Sequence, residues 1–342
     1  MRLDASLLEG GIPPRNAQSD RKMLQAWQVG RGDGELARRI VTISVFAVAC
    51  AAIGLAAPSF LTVGNLRAIE LSSSVLLVAS VGATFVILMG SIDLSIGAIA
   101  SFCGMLVARM APDFGFWAIP IVCLVGLSCG VINGLVYVYL RIPSILVTLA
   151  TATTLSGAVL FVSDGRSLTV TDAAVIDIAQ GAWLNVIPNA VLISLVIYMA
   201  AVVLGARTRF GRMTLALGSD EQTAALVGVK VNTIKIQAFA LSGLLGGVAG
   251  ALLAARLGSA TATMGSFMTL DTITAVVVGG TAITGGFGNV RLTILGVLFT
   301  TTLSNGLNTL ALAPHLQAII QGVVILFAVL LNTKRVSAED VR

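Results

Sequence analysis

Long apolar stretches, separated by short charged segments, run along the chain from about residue 40 to residue 333. The long uncharged stretches are 40–66, 71–92, 94–108, 114–140, 142–163, 178–206, 236–255, 272–290 and 292–333. A helix rises 1.5 Å per residue, so roughly 20 residues cross a hydrocarbon core about 30 Å thick. The last stretch is long enough for two crossings, with a break expected at Pro314-His315. The pattern predicts an all-α, polytopic membrane protein with about ten transmembrane helices.

The composition excludes a water-soluble globular protein. Apolar residues make up 56% of the chain and charged residues only 11%, against about 25% charged residues in ordinary soluble domains. The four cysteines lie in apolar stretches without CxxC spacing or a nearby histidine, so we interpret them as packing residues and not as a metal site. The basic residues lie mainly between apolar stretches, which is typical of membrane anchoring and not of nucleic-acid binding.

The distribution of basic residues predicts the orientation. If residues 1–39 form a cytoplasmic tail, ten spans return residues 334–342 to the same side. The outer side then carries four of the 21 Lys and Arg residues, namely Arg67, Arg109, Arg166 and Arg256, and the cytoplasmic side carries the rest. This asymmetry follows the positive-inside rule. Both termini are therefore predicted to be cytoplasmic, on either side of a membrane domain of residues 40–333. The first tail is expected to be flexible.

The membrane stretches contain few groups that could perform chemistry. Asp93 lies between two apolar stretches and Asp271 at the outer edge of another, whereas ion-coupled carriers usually need a buried ionisable relay. The one histidine, His315, is interpreted as a polar residue at a helix start, and the sequence has no HExxH, GxSxG or GxxxxGK[ST] motif. The chain is therefore expected to be no enzyme, to bind no cofactor or metal, and to leave ATP hydrolysis to another protein.

The loop of residues 207–235 is the most informative polar segment. Ser219 is expected to be the N-cap of a short helix, with Gln222 as the reciprocal member of a capping box. Asp220 and the glutamate after it complement the positive end of the helix dipole, and Gly228 is expected to end the helix. Eight or nine residues are too few for a stable isolated helix. Two interpretations stay open here, a helix that packs against a partner protein and an ordinary interhelical loop.

Five segments resemble, in order along the chain, the membrane permease subunits of ATP-binding-cassette sugar importers of the ribose, xylose and arabinose group. They are 90–97 (GSIDLSIG), 142–149 (IPSILVTL), 210–232 (FGR…GVKVN), 270–286 (LDTITAVVVGGTAITGG) and 305–308 (NGLN). Together they span roughly residues 70–330. The chain departs from the family pattern at Asp220, where asparagine is frequent, and at Gln222-Thr223, where alanine is common.

The resemblance implies a set of partners in the inner membrane. The chain would pair with a second permease subunit, identical or closely related, within the lipid bilayer. A cytoplasmic ATP-binding subunit would use ATP and Mg, and a periplasmic sugar-binding protein would deliver the solute. The short helix in the 207–235 loop would be the element that docks on the ATPase. The residues expected to couple the two are Ser219, Asp220, Glu221, Gln222, Ala224, Ala225 and Gly228.

Polar groups within or beside the spans are candidates for the translocation pathway. They are Asp93, Ser95, Asn133, Thr148, Asn305 and Asn308. Hydroxyls and amides suit a sugar, which offers hydrogen-bond donors and acceptors, but interhelical hydrogen bonding is an equally ordinary use of such residues.

Glycines indicate close helix packing and broken helix ends. Overlapping GxxxG pairs occur among Gly243, Gly246, Gly247 and Gly250. The segments 90–97 and 279–286 share a Gly-x6-Gly spacing at the inner ends of two predicted spans. This spacing suggests an internal repeat whose broken helix ends line a cavity.

The function predicted from the sequence is therefore import of a monosaccharide or related polyol by alternating access, driven by a separate ATPase. Two alternatives remain at this stage. One is a branched-chain amino-acid or nucleoside permease of the same superfamily, and the other is an autonomous secondary carrier.

Overall fold

A computed structural model describes residues 47, 50, 51, 53–184 and 186–332 of the chain. The elements below belong to a compact unit that begins at Ala49. The predictions for the tails 1–39 and 334–342, and for most of the first predicted span, lie outside the described residues.

The described residues form twelve α-helices, with two short 3-10 turns and four two-residue strands. The helices are α1 (Val63–Leu88), α2 (Ile96–Phe114), α3 (Ala118–Tyr139), α4 (Ser144–Ser163), α5 (Ala173–Gln180), α6 (Asn189–Arg207), α7 (Arg209–Ser219), α8 (Glu221–Leu226), α9 (Val231–Leu257), α10 (Met268–Val278), α11 (Val290–Thr309) and α12 (Pro314–Asn332). The 3-10 turns are Pro58–Leu61 and Gly115–Trp117. Strand β1 (Leu168–Thr169) pairs antiparallel with β4 (Ser259–Ala260), and β2 (Ala182–Trp183) with β3 (Ile187–Pro188).

Six helical stretches among the described residues are long and apolar enough to cross a membrane. The longest, Ile96–Tyr139, contains both α2 and α3, separated by the 3-10 turn. Helices α1 and α9 are mostly buried and form the centre of the bundle, whereas only a small part of α4 and α6 is buried. Exposed leucine, valine and phenylalanine side chains on the outside of a helical bundle are typical of contact with lipid. The prediction of a helical, multi-pass membrane protein is therefore confirmed, with four two-residue strands as the only β-structure among the described residues.

The predicted glycine packing is confirmed at the central helix α9. A Cβ atom on Gly243 would overlap the backbone of Gly126 and Gly130 on α3, and one on Gly250 would overlap the backbone of Ala100 on α2. Small residues at these positions let the helix backbones approach closely, which is how helices associate in a membrane.

One predicted span is not a continuous helix in the structure. The stretch 272–290 was expected to be a single helix, but α10 ends at Val278 and α11 begins only at Val290. The eleven residues of α10 rise only about 16 Å, too little to cross the hydrocarbon core. Gly280 and Gly285 in the break have positive φ angles of 90° and 80°, which end the helix because only glycine adopts them without strain.

The segment after α1 is broken in the same way, and the two breaks pack together. Gly90 has a φ angle of 77°, and the chain stays irregular until α2 begins at Ile96. The amide N of Gly286 donates a hydrogen bond of 3.0 Å to Leu88 O at the end of α1. The broken helix ends expected at both glycine segments are confirmed, whereas the internal repeat and a cavity lined by these ends stay predictions.

The start of α1 differs from the start predicted from the charged residues. The apolar stretch 71–92 suggested a helix start near residue 71, whereas α1 begins at Val63 and includes Arg67 and Glu70. Both side chains are exposed. Charged side chains near a helix end can reach the polar interface, so they do not terminate the helix.

Candidate functional site

Asp93 lies in the irregular segment between α1 and α2 and is almost completely buried, with 3% of its surface exposed. Its Oδ1 atom accepts hydrogen bonds from Ser95 N (2.9 Å) and Ser95 Oγ (2.6 Å). Its Oδ2 atom accepts one from Ser242 Oγ on α9 (2.7 Å). A buried carboxylate is tolerated when its oxygens are satisfied by donors in this way. Asp93 therefore ties the irregular segment to the central helix.

The neighbouring polar residues extend this network to α3 and α4. Ser95 Oγ accepts a hydrogen bond from Asn133 Nδ2 (2.9 Å), and Asn133 Oδ1 accepts one from Thr151 Oγ1 (2.6 Å). Thr148 Oγ1 accepts a hydrogen bond from Leu94 N (3.0 Å). The structure thus brings together four predicted pathway residues, but their buried hydrogen bonds are those of interhelical packing. A part in the translocation pathway stays a prediction for these four.

The hydrogen bonds accepted by Asp93 predict how substitutions at this position affect the stability of the protein. Asp93→Leu leaves three buried donors without an acceptor, and each such group costs about 1–3 kcal/mol. Asp93→Asn keeps one acceptor oxygen for Ser95 and can donate to Ser242 Oγ. We expect a clear loss of thermal stability in detergent for Asp93→Leu and a small one for Asp93→Asn, measured by size-exclusion chromatography after heating. Equal stability of Asp93→Leu and the native protein would contradict this account.

A cavity of about 280 Å³ lies among α1, α9, α10 and α11, close in size to the smaller ligand pockets of proteins. We call it the polar cavity. Its polar lining consists of Ser72, Arg256, Asp271, Thr300, Thr301, Ser304, Asn305 and Asn308, and the rest of the wall, which is the larger part of its surface, is apolar and consists of Ala68, Val75, Leu76, Leu253, Met264, Phe267 and Met268. The predicted pathway residues Asn305 and Asn308 therefore lie at this cavity, whereas Asp93, Ser95, Asn133 and Thr148 do not line it.

The amide side chains at the polar cavity are oriented by their neighbours. Asn305 Oδ1 accepts a hydrogen bond of 2.8 Å from Asn65 Nδ2, and Asn308 Oδ1 accepts one of 2.9 Å from Gln317 Nε2. Since the two oxygens are already bonded, the Nδ2 groups are the ones left to donate to a bound molecule. Arg256 was not predicted at this site from the sequence, because it was used only to infer the orientation of the chain in the membrane.

The 207–235 loop folds as α7, α8 and the first turn of α9, and the predicted N-cap is wrong by one residue. Helix α7 continues through Ser219, whose Oγ donates to Leu215 O (3.1 Å) and Gly286 O (3.3 Å). The chain becomes extended at Asp220, with a φ angle of −162°, and Asp220 is the N-cap. The helix is therefore shorter than expected, with six residues (Glu221–Leu226).

Asp220 makes the capping bonds that were expected of Ser219 and Gln222. Its Oδ1 atom accepts from the amides of Gln222 (2.9 Å) and Thr223 (3.1 Å), and its Oδ2 atom accepts from Thr223 Oγ1 (2.6 Å). Thr223, three residues after the cap, only donates to Asp220, and the amide of Asp220 donates to Ala216 O (3.2 Å), so the reciprocal bond of the predicted capping box does not form. The hydrogen bond from the Thr223 hydroxyl, with those from the backbone, lowers the pKa of the Asp220 carboxyl from its ordinary value.

Gly228 ends α8 as predicted, and two apolar side chains before it are exposed. Gly228 has a φ angle of 85°, and its amide donates to Ala225 O (3.0 Å). Ala224 is buried within the chain, so it is not free to contact another protein, whereas Ala225 is exposed. Leu226 and Val227 are 88% and 75% exposed. The sequence interpretation missed this pair, although two large apolar residues in a polar loop are a visible signal.

An ion pair fixes α8 against the bundle. Lys235 Nζ lies 2.7 and 2.8 Å from the carboxylate oxygens of Glu221. The same ammonium group lies 4.8 Å from the centre of the Tyr137 ring on α3, and Ser91 Oγ in the first break donates to Tyr137 OH (3.2 Å). The exposed end of α8 is therefore held at one end of α9, and the polar cavity, with Arg256 in its wall, lies at the other end.

Comparison with known proteins identifies the family. Residues 65–329 match the family described as branched-chain amino acid transport system / permease component. The chain belongs to this permease family. The permease is 36% identical over 320 residues to the ribose import permease of Haemophilus influenzae, covering 90% of this chain and 97% of that protein.

Two further relatives give the same result. A ribose import permease of Bacillus subtilis is 38% identical over 81% of this chain and 87% of its own length. The L-arabinose transport system permease of Escherichia coli is 30% identical over 86% and 90%, respectively. No solved structure matches the chain. The permease is a multi-pass protein of the inner membrane and a transport component of an ATP-binding-cassette importer, not an enzyme.

The N-cap of α8 predicts a local effect in this permease. Asp220→Ala removes the acceptor for two amides and one hydroxyl, so α8 should fray, whereas Ser219→Ala should leave it intact. Hydrogen exchange of residues 221–228 at neutral pH should be severalfold faster only in Asp220→Ala. Because the pKa of Asp220 is lowered, the cap is complete at neutral pH and is lost only as the pH falls below the ordinary range of aspartate. Equal exchange in the two variants would contradict the assignment of the cap.

Proposed function

We propose that the chain conducts a monosaccharide or related polyol across the inner membrane as the permease subunit of an importer driven by a separate ATPase. One observation carries the proposal: a polar cavity and an exposed apolar segment lie at opposite ends of the same long helix, α9. The cavity offers a place for solute at one membrane face. The exposed segment offers a place for a motor protein at the other.

The polar cavity supports a solute with many hydroxyl groups. Its hydroxyls and amides can donate and accept hydrogen bonds, as sugar hydroxyls require. The relatives that match nearly the whole chain are named for import of ribose and L-arabinose. The family description names branched-chain amino acids instead, so an amino-acid solute is the alternative that the experiment below has to exclude.

The proposed topology has ten spans and two cytoplasmic termini. The spans are the first predicted span, most of which lies outside the described residues, followed by α1, α2, α3, α4, α6, α9, α10 with the irregular segment after it, α11 and α12. This arrangement puts the polar cavity at the outer face and the 207–235 loop at the cytoplasmic face. Two of the four basic residues predicted outside support it, since Arg67 and Arg256 lie at the α1 and α9 ends that border the cavity.

The proposed partners follow from the two faces. A cytoplasmic ATP-binding subunit docks on α8, where Ala225, Leu226 and Val227 are exposed, and it supplies both ATP and Mg. A periplasmic solute-binding protein delivers the solute at the outer face, and a second permease subunit completes the pathway. This chain itself binds no cofactor or metal. Closure of the ATPase pushes α8, and the ion pair of Glu221 with Lys235 links this movement to α9.

The test is solute uptake by the reconstituted assembly. The permease is purified with the ATPase and solute-binding protein that co-purify with it, placed in liposomes and supplied with ATP. We expect ATP-dependent uptake of D-ribose, L-arabinose or D-xylose, and none of L-leucine. Uptake of L-leucine without any of these sugars would overturn the proposed solute class.

A further inference from the structure

Two charged side chains without partners line the polar cavity. Arg256 lies in the last turn of α9 and Asp271 in the first turn of α10. Within the part of the chain that the structure describes, neither side chain makes a hydrogen bond or an ion pair, with each other or with another residue. Charged groups in a membrane bundle are normally paired or face a water-filled cavity, and they mark solute pathways.

The two charges together disfavour a solute with net charge; a neutral polyol and a zwitterionic amino acid both meet this condition, and the other lining groups distinguish between them. Asp271 accepts hydrogen bonds and repels anions, and Arg256 donates hydrogen bonds and repels cations. A sugar hydroxyl can donate to the carboxylate while another oxygen of the same sugar accepts from the guanidinium. Hydrogen bonds to charged groups are the stronger ones, so this pair can select between solutes.

The other lining groups complete the match to a polyol. The Nδ2 groups of Asn305 and Asn308 are left to donate, because the amide oxygens are engaged by Asn65 and Gln317. The ring of Phe267 lines the same cavity and is 60% exposed. It offers an apolar surface to the C–H face of a sugar ring. The hydroxyls of Ser72 and Thr300 donate to backbone carbonyls of their own helices, so their oxygens are left to accept, and the cavity offers both donors and acceptors to a polyol.

We propose that Asp271 and Arg256 bind a neutral, polyhydroxylated solute in the polar cavity and determine its selectivity. This inference rests on the proposed function as a sugar importer. At the outer face, the cavity is the first site that the solute occupies after its release from the binding protein. Asp271 holds hydroxyl hydrogens, and Arg256 holds hydroxyl or ring oxygens.

The first test measures protection of the cavity by sugar. Ser72→Cys puts a thiol in the cavity wall, and a membrane-impermeant thiol reagent labels it from outside. We expect D-ribose to slow this labelling severalfold and L-leucine to have no effect. Thr62→Cys, on the exposed turn before α1 and outside the cavity, is the matched control and should be labelled at the same rate with or without sugar. The unsubstituted chain gives the background from its four cysteines.

The second test removes each charge in the assembly that transports D-ribose. Asp271→Asn and Arg256→Gln should lower sugar transport per ATP hydrolysed about tenfold or more, since each loses a charge-assisted hydrogen bond. ATPase stimulation by the loaded binding protein should persist, which separates solute contact from a general structural defect. The controls are Glu70→Gln and Arg67→Gln. Both residues lie near the start of α1, close to the cavity, but do not line it, so these variants should transport sugar normally.

The outcomes separate this inference from the proposed function. If the unsubstituted assembly takes up no sugar, the proposed function fails. If it takes up sugar and the Asp271 and Arg256 variants behave like the Glu70 and Arg67 controls, the assignment of the two charges fails alone. Undiminished protection of Ser72→Cys by D-ribose in the Asp271→Asn background would also overturn that assignment.

Discussion

Replacing Leu226 with aspartate is expected to abolish ATP-driven import while leaving the permease folded in the membrane. Leu226 is 88% exposed at the end of α8, so it contributes little to the stability of its own chain. Burial of a leucine side chain against a partner is worth about 1.5–3 kcal/mol, and a carboxylate at the same place must also be desolvated. Val227→Asp should act in the same direction, because Val227 is the adjacent exposed apolar residue.

The measurement is co-purification of the ATPase with a tagged permease, followed by uptake in liposomes. A loss of 2–3 kcal/mol corresponds to an association roughly 30 to 140 times weaker. Leu184→Asp is the matched control, since Leu184 is an apolar residue 73% exposed in the turn between β2 and β3, far along the chain from α8. If Leu226→Asp retains the ATPase as well as Leu184→Asp does, α8 is not the docking element.

Gly243→Leu should prevent assembly of the helical bundle. A Cβ atom at this position already overlaps the backbone of Gly126 and Gly130, and backbone atoms cannot rotate away as side chains do. Overpacking costs typically 1–3 kcal/mol when side chains can adjust, and more when they cannot. Helices α3 and α9 would have to separate, so little monodisperse protein should survive detergent extraction.

The matched control for this prediction is Gly157→Leu on α4. A Cβ atom there meets no other atom within 4 Å, so the larger side chain has open space. Fluorescence-detected size-exclusion chromatography should show a normal peak for Gly157→Leu and an aggregated or absent one for Gly243→Leu. Equal yields from the two variants would mean that the close approach of α3 and α9 does not stabilise the bundle.

Hydropathy predicted the membrane helices but not all of their limits. The stretch TAVVVGGTAITGG carries no charge, so it resembled a continuous span, although positive φ angles at its glycines end α10 at Val278. Mean hydropathy reports the cost of leaving water and not the backbone conformation. The Gly-x6-Gly spacing in 90–97 and 279–286, and not hydropathy, indicated that the helices are broken there.

Local sequence could not decide which residue caps α8. Ser219 and Asp220 are both good N-cap residues, and the choice depends on how far α7 continues. In the structure Ser219 stays helical and bonds to Gly286, a residue 67 positions further along the chain. The cap is therefore set partly by a tertiary contact.

The residues of the proposed solute site were predicted only in part from the sequence. Asn305 and Asn308 were identified from their chemistry, and they line the polar cavity. Arg256 and Asp271 lie on either side of an uncharged segment, and only the fold-back between α9 and α10 turns both toward one cavity. Asp93, Ser95, Asn133 and Thr148 have the same polar character, but their partners come from four different segments and close the network. Residue type alone does not distinguish these two environments.

The central claim is that this chain is a gate without its own energy source, driven by an ATPase held at α8. The most direct test compares solute accumulation in liposomes that contain the permease alone with accumulation in liposomes that also contain its ATPase and binding protein. We expect D-ribose to accumulate against its gradient only in the complete assembly and only with ATP. Accumulation by the permease alone, without ATP, would contradict the account.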